Sequence, residues 1–320
     1  MSTYVREGSF QGIPTVEAGN DVLDLIIVPE WGSNLISIKT KNPQVDILRT
    51  PTDIAEYERA PVQFGVPILF PPNRISDGTF TFENRNYVFD LTEPEKQNHI
   101  HGFVYSKPWK IKSMDATEDQ VRIVTSIHSE DHPDILRQFP HFFSIEMVFI
   151  LKGGMIYKDA IITNHSDQTF PWGIGYHTTF QFPEETSRFS LQSTNQWVLN
   201  DRLLPTGEWM ETPYKGLQEG ISLKEIELDD AFLTDQSAST NQTVITRSDQ
   251  PLRVSYRADS QFKHWVVYNA DAKQGYVCPE PYTWITNAPN LELSDEITGI
   301  QVLKPGESTT AKTEIEITNV

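Results

Sequence analysis

Residues 121–128 read VRIVTSIH, and this stretch decides the fold class. Val121, Ile123 and Ile127 fall on alternate positions, with the polar Arg122 between the first two. A period of two indicates a half-buried β-strand, because successive side chains of a strand point to opposite faces. Similar β-branched and aromatic runs predict further strands at 24–31, 142–151, 155–163, 263–269 and 314–318.

A β-hairpin is predicted over residues 80–91, FTFENRNYVFDL, with Phe80 and Phe82 opposite Tyr87 and Phe89 and a turn at 83–86. Helical signals are scarce, and the best of them is the short segment 52–60 after Pro51. The 21 prolines and 17 glycines are scattered rather than pooled in a linker. We therefore predict one all-β domain over residues 1–320, a large antiparallel β-sandwich.

Composition excludes several classes of function. The chain has 26 Lys and Arg against 44 Asp and Glu, a net charge of −18, which disfavours binding to nucleic acid or anionic membranes. Neither a secretory signal nor an apolar run long enough to span a membrane is visible, so we expect a cytoplasmic protein. The single cysteine, Cys278, excludes an internal disulfide and is interpreted as a small buried residue.

Four segments combine polar groups with aromatics and prolines, as a binding site would. They are 63–75 (QFGVPILFPPNRI), 98–103 (NHIHGF), 171–180 (PWGIGYHTTF) and 278–287 (CPEPYTWITN). Each also has a purely structural interpretation: His177 could be a core histidine, and Arg74 could pair with a surface carboxylate. Glu280 is the least ordinary of these residues because Pro279 and Pro281 stiffen its backbone, although the rigidity could also serve a turn.

Metal binding is a separate possibility, because His99 and His101 form an H-x-H pair that His177 and Glu280 could complete. No carboxylate follows closely after His101, however, so we expect no metal site and no cofactor.

Taken in order, these segments resemble the aldose 1-epimerase family, the galactose mutarotases. The resemblance is carried by N-R-I-x-x-G-x-F at 73–80, N-x-x-H-G at 98–102, a histidine before an aromatic at His177, D-x-x-F at 229–232, and the late Glu280. It spans roughly residues 8–318. The chain departs from the family pattern at Phe103, Asn84 and Asp230, where the family often has Gly, Gly and His; the first and third of these departures bear on sugar preference.

The resemblance implies the large β-supersandwich and a mutarotase that opens and closes the hemiacetal ring of a hexose such as galactose or glucose. It assigns Glu280 as the base and His177 as the acid, without metal or cofactor. Arg74, His101 and Asp229 would bind the sugar, with Asp229 preferred over its neighbour because it keeps the three-residue step to the phenylalanine. Trp172 or Tyr282 could stack on the ring.

Two alternatives remain open. A hexose-6-phosphate 1-epimerase on the same scaffold would need additional cations, and only Arg74 and Arg85 stand near the sugar motifs. A non-catalytic carbohydrate-binding protein would share the sandwich but would not need a paired acid and base. The sequence leaves the identity of the sugar and the oligomeric state open.

Overall fold

Antiparallel strands form the three largest sheets of the computed structural model, which describes residues 2–235 and 240–319. The strands are β1 Tyr4–Phe10, β2 Ile13–Gly19, β3 Leu23–Val28, β4 Asn34–Lys41, β5 Gln44–Asp46, β6 Ile68–Leu69, β7 Arg74–Ser76, β8 Thr79–Phe82, β9 Arg85–Val88, β10 Asn98–Ile100, β11 Lys110–Ala116, β12 Val121–His128, β13 Phe143–Lys152, β14 Met155–Asn164, β15 Phe170–Trp172, β16 Gly175–Tyr176, β17 Phe180–Gln181, β18 Ser187–Leu191, β19 Asn195–Leu199, β20 Pro205–Glu211, β21 Asp229–Leu233, β22 Gln242–Arg247, β23 Leu252–Ala258, β24 His264–Tyr268, β25 Tyr276–Tyr282, β26 Gln301–Leu303 and β27 Ser308–Asn319. The helices are α1 Ile54–Arg59, α2 Pro133–Gln138 and α3 Asp295–Thr298, with 3-10 turns at Pro29–Trp31, Pro61–Gln63, Pro94–Lys96, Ser129–Asp131 and Ala288–Asn290.

Two large sheets make the sandwich. One runs in the order β11-β12-β13-β14-β27-β23-β22-β18, and the other runs β20-β19-β21-β24-β25-β16-β6, with β17 also paired to β25. Aromatic side chains join their inner faces: the rings of Tyr256 on β23 and Trp265 on β24 are 5.5 Å apart. A third sheet, β1 to β5 in sequence order, packs beside them and contributes to the same apolar core. The predicted all-β antiparallel sandwich is confirmed.

The alternation-based strand predictions match β3, β12, β13, β14, β24 and β27. One boundary was wrong, because β3 ends at Val28 and Pro29 begins a 3-10 turn. The segment predicted as helical, 52–60, contains α1, whose first turn is capped by the Asp53 carboxylate accepting from the Glu56 N–H at 2.7 Å. None of the helices in the described ranges is long and apolar enough to cross a membrane.

The hairpin is present, but its predicted turn was wrong. The predicted turn would place Phe82 opposite Tyr87 and Phe80 opposite Phe89, whereas Phe80 lies opposite Tyr87 and Phe82 lies opposite Arg85. The turn is therefore only the two residues Glu83 and Asn84, both with left-handed backbone angles (φ 50° and 71°). Such two-residue turns match the twist of the strands better than the longer turn predicted.

Candidate active site

A cavity of about 270 Å³ collects the polar side chains of all four sequence segments beside β24 and β25. Its lining comprises Val62, Gln63, Asn73, Arg74, Lys96, Ile100, His101, His177, Leu203, Asp229, Val266, Tyr268 and Glu280. All five residues predicted from the sequence as site residues are therefore brought to one cavity. They come from β7, β21 and β25 and from the residues directly after β10 and β16.

Glu280 lies in the middle of β25, not in a turn, and its side chain is buried. One edge of β25 pairs continuously with β24, where Val266 is opposite Glu280. The other edge pairs with β16 at Tyr282 and with β17 at Tyr276 and Val277. Between these two contacts, at residues 278–281, this edge has no ladder. Prolines lack a donor N–H and are tolerated in a strand where the ladder is interrupted. The two prolines around Glu280 fit this interrupted edge.

His177 passes along the interrupted edge, and its Nε2 atom lies 3.3 Å from Oε1 of Glu280. The other carboxylate oxygen, Oε2, accepts a short hydrogen bond from the Tyr282 hydroxyl. Asn73 in turn donates its amide N–H to the Tyr282 hydroxyl oxygen at 3.1 Å. Both oxygens of Glu280 therefore have a fixed neighbour, which orients the carboxyl group toward the cavity.

Burial governs the protonation of this pair. It raises the pKa of Glu280 well above its ordinary value, while the Tyr282 hydrogen bond acts in the opposite direction. It also lowers the pKa of His177 to about 4. Both shifts disfavour charge, so the neutral pair, with its proton on Glu280, is favoured in this geometry. This differs from the simple ion pair that proximity alone would suggest.

His101 follows β10 with a left-handed backbone (φ 67°), and its ring meets that of His177 edge-on at 5.5 Å. Gly102 allows this turn, because a Cβ atom there would collide with the carbonyl oxygen of Phe70. His99 lies instead in an aromatic cluster, with its Nδ1 atom 2.8 Å from the Asp90 carbonyl oxygen. The two histidines thus do not form the ligand pair that H-x-H could supply.

Within the described ranges no group of three or more His, Cys, Asp or Glu side chains is arranged to hold a metal ion.

Arg74 is held by a residue that the sequence analysis did not identify. Its Nε and Nη2 atoms donate to the two carboxylate oxygens of Glu93 at 2.9 and 3.0 Å, and both side chains are almost wholly buried. Asn98 donates to the same carboxylate at 2.8 Å. A buried arginine requires such a partner. Glu93 itself gave no signal, because the surrounding DLTEPEKQ (90–97) has the composition of a solvated loop.

Asp229 faces the cavity, and one carboxylate oxygen lies 3.8 Å from Nη2 of Arg74. Burial raises its pKa, and the Arg74 charge opposes that shift. Asp230 points elsewhere, where it accepts from the Tyr214 hydroxyl at 2.7 Å and from the side-chain amide of Gln196. Of the two adjacent aspartates, Asp229 is therefore the one that lines the cavity.

The predicted stacking aromatics were wrong. Trp172 and Tyr282 are fully buried in the core and are not part of the cavity lining, whereas Tyr268 at the end of β24 is. Arg85, which the sequence analysis placed near the sugar motifs, does not line the cavity and donates to Gln168. Lys96 is the second cationic residue of the lining, beside Arg74.

Cys278 is buried with a raised pKa, and its thiol lies 3.4 Å from the Thr179 hydroxyl. This agrees with its interpretation as a small core residue.

A larger cavity, of about 790 Å³, lies on the other large sheet. Four of its charged residues form ion pairs: Arg257 with Glu314 at 2.9 Å and Lys312 with Asp159 at 3.8 Å. It lacks the histidines and the buried carboxylate of the first cavity.

Comparison with known proteins finds relatives with the same fold. A galactose mutarotase-like protein from Clostridium acetobutylicum superposes with a TM-score of 0.95 at 26% identity, covering 99% of both chains. Galactose 1-epimerase from Lactobacillus acidophilus has the same fold, with a TM-score of 0.77 at 12% identity over 99% of each chain. The uncharacterized protein YphB of Escherichia coli is 21% identical over 262 residues, which are 78% of this chain and 82% of that protein. The family model for aldose 1-epimerase matches residues 15–316, nearly the whole chain, and the chain therefore belongs to the aldose 1-epimerase family.

Proposed function

We propose that the protein is an aldose 1-epimerase that interconverts the α and β anomers of a free hexose such as glucose or galactose. The observation that carries the proposal is the 3.3 Å separation of His177 Nε2 and Glu280 Oε1 at one cavity. Mutarotation needs a base for the anomeric hydroxyl and an acid for the ring oxygen, and these two groups can supply both.

The proton of the pair is the starting point of the proposed mechanism. Burial favours a protonated Glu280 and a neutral His177. Transfer of that proton across the 3.3 Å gap creates a carboxylate base and an imidazolium acid together. The Tyr282 hydroxyl remains bonded to Oε2 of Glu280 and stabilises the carboxylate once it forms.

Ring opening then follows from these two groups. Glu280 accepts the proton of the anomeric hydroxyl as the C1–O1 bond becomes a carbonyl. The bond between C1 and the ring oxygen breaks, and the ring oxygen takes the proton from His177. Rotation about C1–C2 presents the opposite face of the aldehyde, and reversal of the same transfers closes the other anomer.

Sugar binding is assigned to the rest of the cavity. Arg74 and His101 would donate to hydroxyl groups, and Asp229 would accept from them. Nε and Nη2 of Arg74 are bound to Glu93, so its guanidinium is held in place before the sugar arrives. Tyr268 offers an aromatic ring to the apolar face of the sugar.

A free sugar is favoured over its 6-phosphate. Of the cavity-lining side chains in the described residues, only Arg74 and Lys96 are permanently cationic, and Arg74 is already paired with Glu93. A phosphate dianion binds best to several unpaired donors, and the net charge of −18 repels it at longer range. Competition between glucose and glucose 6-phosphate tests this preference, and a higher kcat/KM for the phosphate would reverse it.

Polarimetry is the direct test of activity. Freshly dissolved α-glucose and α-galactose should reach their equilibrium rotation faster with the protein than without it. A carbohydrate-binding protein would bind the sugar without changing the rate, and binding would survive Glu280→Gln. No acceleration with either sugar, at enzyme concentrations where binding is measurable, would favour that alternative.

A further inference from the structure

Lys158 is an unexpected residue in the core between the two large sheets. It lies on β14 with no solvent-accessible surface. Its Nζ atom is 3.3 Å from the Tyr256 hydroxyl and 3.8 Å from the centroid of the Tyr176 ring. Lysine is almost never fully buried without a partner of opposite charge, so this amine calls for a physical explanation.

The contacts of Lys158 lead to both sequence neighbours of His177. Tyr176 and Thr178 are fully buried, whereas His177 between them lines the cavity. Thr178 donates its hydroxyl hydrogen to the Tyr256 oxygen at 3.1 Å. Lys158 therefore touches Tyr176 directly and reaches Thr178 through Tyr256.

The backbone of this segment is fixed separately. The N–H of His177 donates to the Pro67 carbonyl at 3.1 Å, and the N–H of Thr179 donates to the Gly65 carbonyl at 2.9 Å. These bonds fix where the backbone of this segment runs. The buried side chains of Tyr176 and Thr178 fix how the segment is rotated about its own axis. The direction of the imidazole ring depends on both.

The surroundings of the Lys158 amine disfavour its charged form. Lys158 Nζ donates to the Tyr256 oxygen at 3.3 Å, and the same oxygen accepts from Thr178, with the Thr313 side chain as a further hydrogen-bond partner of Tyr256. Among the described residues Lys158 takes part in no ion pair, and burial holds its pKa well below the ordinary value.

We propose that Lys158 is a positioning residue: a neutral amine that donates to Tyr256 and packs on Tyr176, so that both neighbours of His177 are fixed and the imidazole is aimed at Glu280. Its kinetic consequence rests on the proposed epimerase function, whereas its uncharged state does not. Two measurements therefore address the two parts separately.

The first measurement is the kinetics of K158M, which keeps the length of the side chain and removes the amine. Small misplacement of a catalytic group typically costs about 10²-fold in rate, so kcat in polarimetry should fall by roughly 10- to 100-fold. KM should change less than about twofold, because Lys158 does not line the cavity. Ile162→Val, a change at another buried position of β14, is the matched control and should leave both constants unchanged.

Thr178→Val tests the same chain of contacts from its other end. It should lower kcat in the same way, and K158M combined with it should be no worse than K158M alone, since both act through Tyr256. Wild-type kcat in folded K158M, or a loss confined to KM, would overturn the positioning role. Should K158M fail to fold, Lys158→Leu and Thr178→Val carry the same comparison.

The second measurement is the pH dependence of unfolding, which needs no activity. A lysine that is neutral in the folded state and protonated when unfolded takes up one proton on unfolding below pH of about 10.4. The unfolding equilibrium constant of the wild type should therefore fall more steeply with rising pH than that of K158M, by up to about tenfold per pH unit below pH of about 10. Parallel pH dependences would show that the native lysine is charged and would overturn the neutral amine. If the wild type has no mutarotase activity, the proposed function fails while this second result still decides the state of Lys158.

Discussion

The imidazole Nε2 of His177 lies 3.3 Å from Oε1 of Glu280, while the Tyr282 hydroxyl holds the other oxygen of the same carboxyl group. Glu280, the proposed base, is therefore held through Oε2 and can exchange a proton with His177 through Oε1. Substitutions of His177, Glu280 and Tyr282 should therefore have different measurable effects.

Glu280→Gln should remove the base while keeping the size of the side chain and an oxygen for the Tyr282 hydroxyl. We expect kcat to fall by about 10²- to 10⁴-fold, the usual contribution of a general base. KM should change much less, since binding is assigned to Arg74, His101 and Asp229. Polarimetry over a range of sugar concentrations measures both constants.

His177→Asn should lower kcat in the same experiment, and the double variant with Glu280→Gln should be little worse than the worse single one. Groups that act as one unit give such non-additive losses. Near wild-type kcat in Glu280→Gln would refute the assignment of the base.

Tyr282→Phe should shift the pH dependence of kcat. The hydroxyl donates to Glu280 and so favours the carboxylate; its removal raises the pKa of Glu280 further. Hydrogen bonds to charged groups contribute about 1.5–3 kcal/mol, or about one to two pH units. The alkaline limb of the profile should move to higher pH, and kcat at its maximum should fall.

Tyr87→Phe is the matched control for this change. Tyr87 is equally buried, but its hydroxyl bonds to His141, outside the cavity lining. If the pH profile of kcat does not shift in Tyr282→Phe, or shifts equally in Tyr87→Phe, the Tyr282 hydroxyl does not set the pKa of Glu280.

Glu93→Gln should destabilise the protein and weaken sugar binding. Removing one partner of a buried ion pair leaves the other charge uncompensated and typically costs about 3–5 kcal/mol. Arg74 would also lose its fixed orientation, so KM should rise. Urea unfolding and steady-state kinetics measure the two effects.

Arg137→Gln provides the comparison for an exposed ion pair. Arg137 pairs bidentately with Asp90, but more than half of each side chain is exposed. Exposed pairs contribute about 0–1 kcal/mol. Equal losses in the two variants would mean that the Arg74–Glu93 pair is not a buried structural element of the site.

The period-two alternation predicted the strands, and with them the sandwich, although β12 is not half-buried as expected: apart from Arg122 and His128, its residues are buried on both faces. The motifs likewise predicted which five side chains share the cavity. Glu93 was missed because its burial depends on Arg74, a contact between segments nearly twenty residues apart that neither segment reveals. Trp172 and Tyr282 were misassigned for a related reason: an aromatic beside a motif can face the core or the cavity, and the strand's neighbours decide which.

Chelation should leave the activity unchanged. The acid and base proposed here are protein side chains, and His99 lies apart from His101 and His177 in the aromatic cluster. We expect full mutarotase activity after exhaustive dialysis against EDTA. Activity that disappears and returns on addition of a divalent ion would mean that a metal takes part.

Glu280→Gln should make the protein more stable at neutral pH although less active. Burial raises the folded-state pKa of Glu280 above the value of about 4.3 in the unfolded chain. A group with a raised folded pKa contributes stability that is fully present below the unfolded pKa and is lost as pH rises toward the folded one. The glutamine variant has no such group, so its free energy of unfolding should exceed that of the wild type by an amount that grows with pH.

The range from pH 6.5 to 8 is the best window for this comparison. Burial also lowers the pKa of His177 to about 4, and that shift raises the stability of both proteins as pH increases between about 4 and 6.5. Above this range the unfolded histidine is neutral too, and the remaining difference reports on Glu280. Urea unfolding of both proteins at pH 4, 6.5 and 8 gives the three points. A variant less stable than the wild type at pH 8 would mean that the carboxyl group is ionised and well paired in the folded protein, contrary to its burial beside a neutral His177.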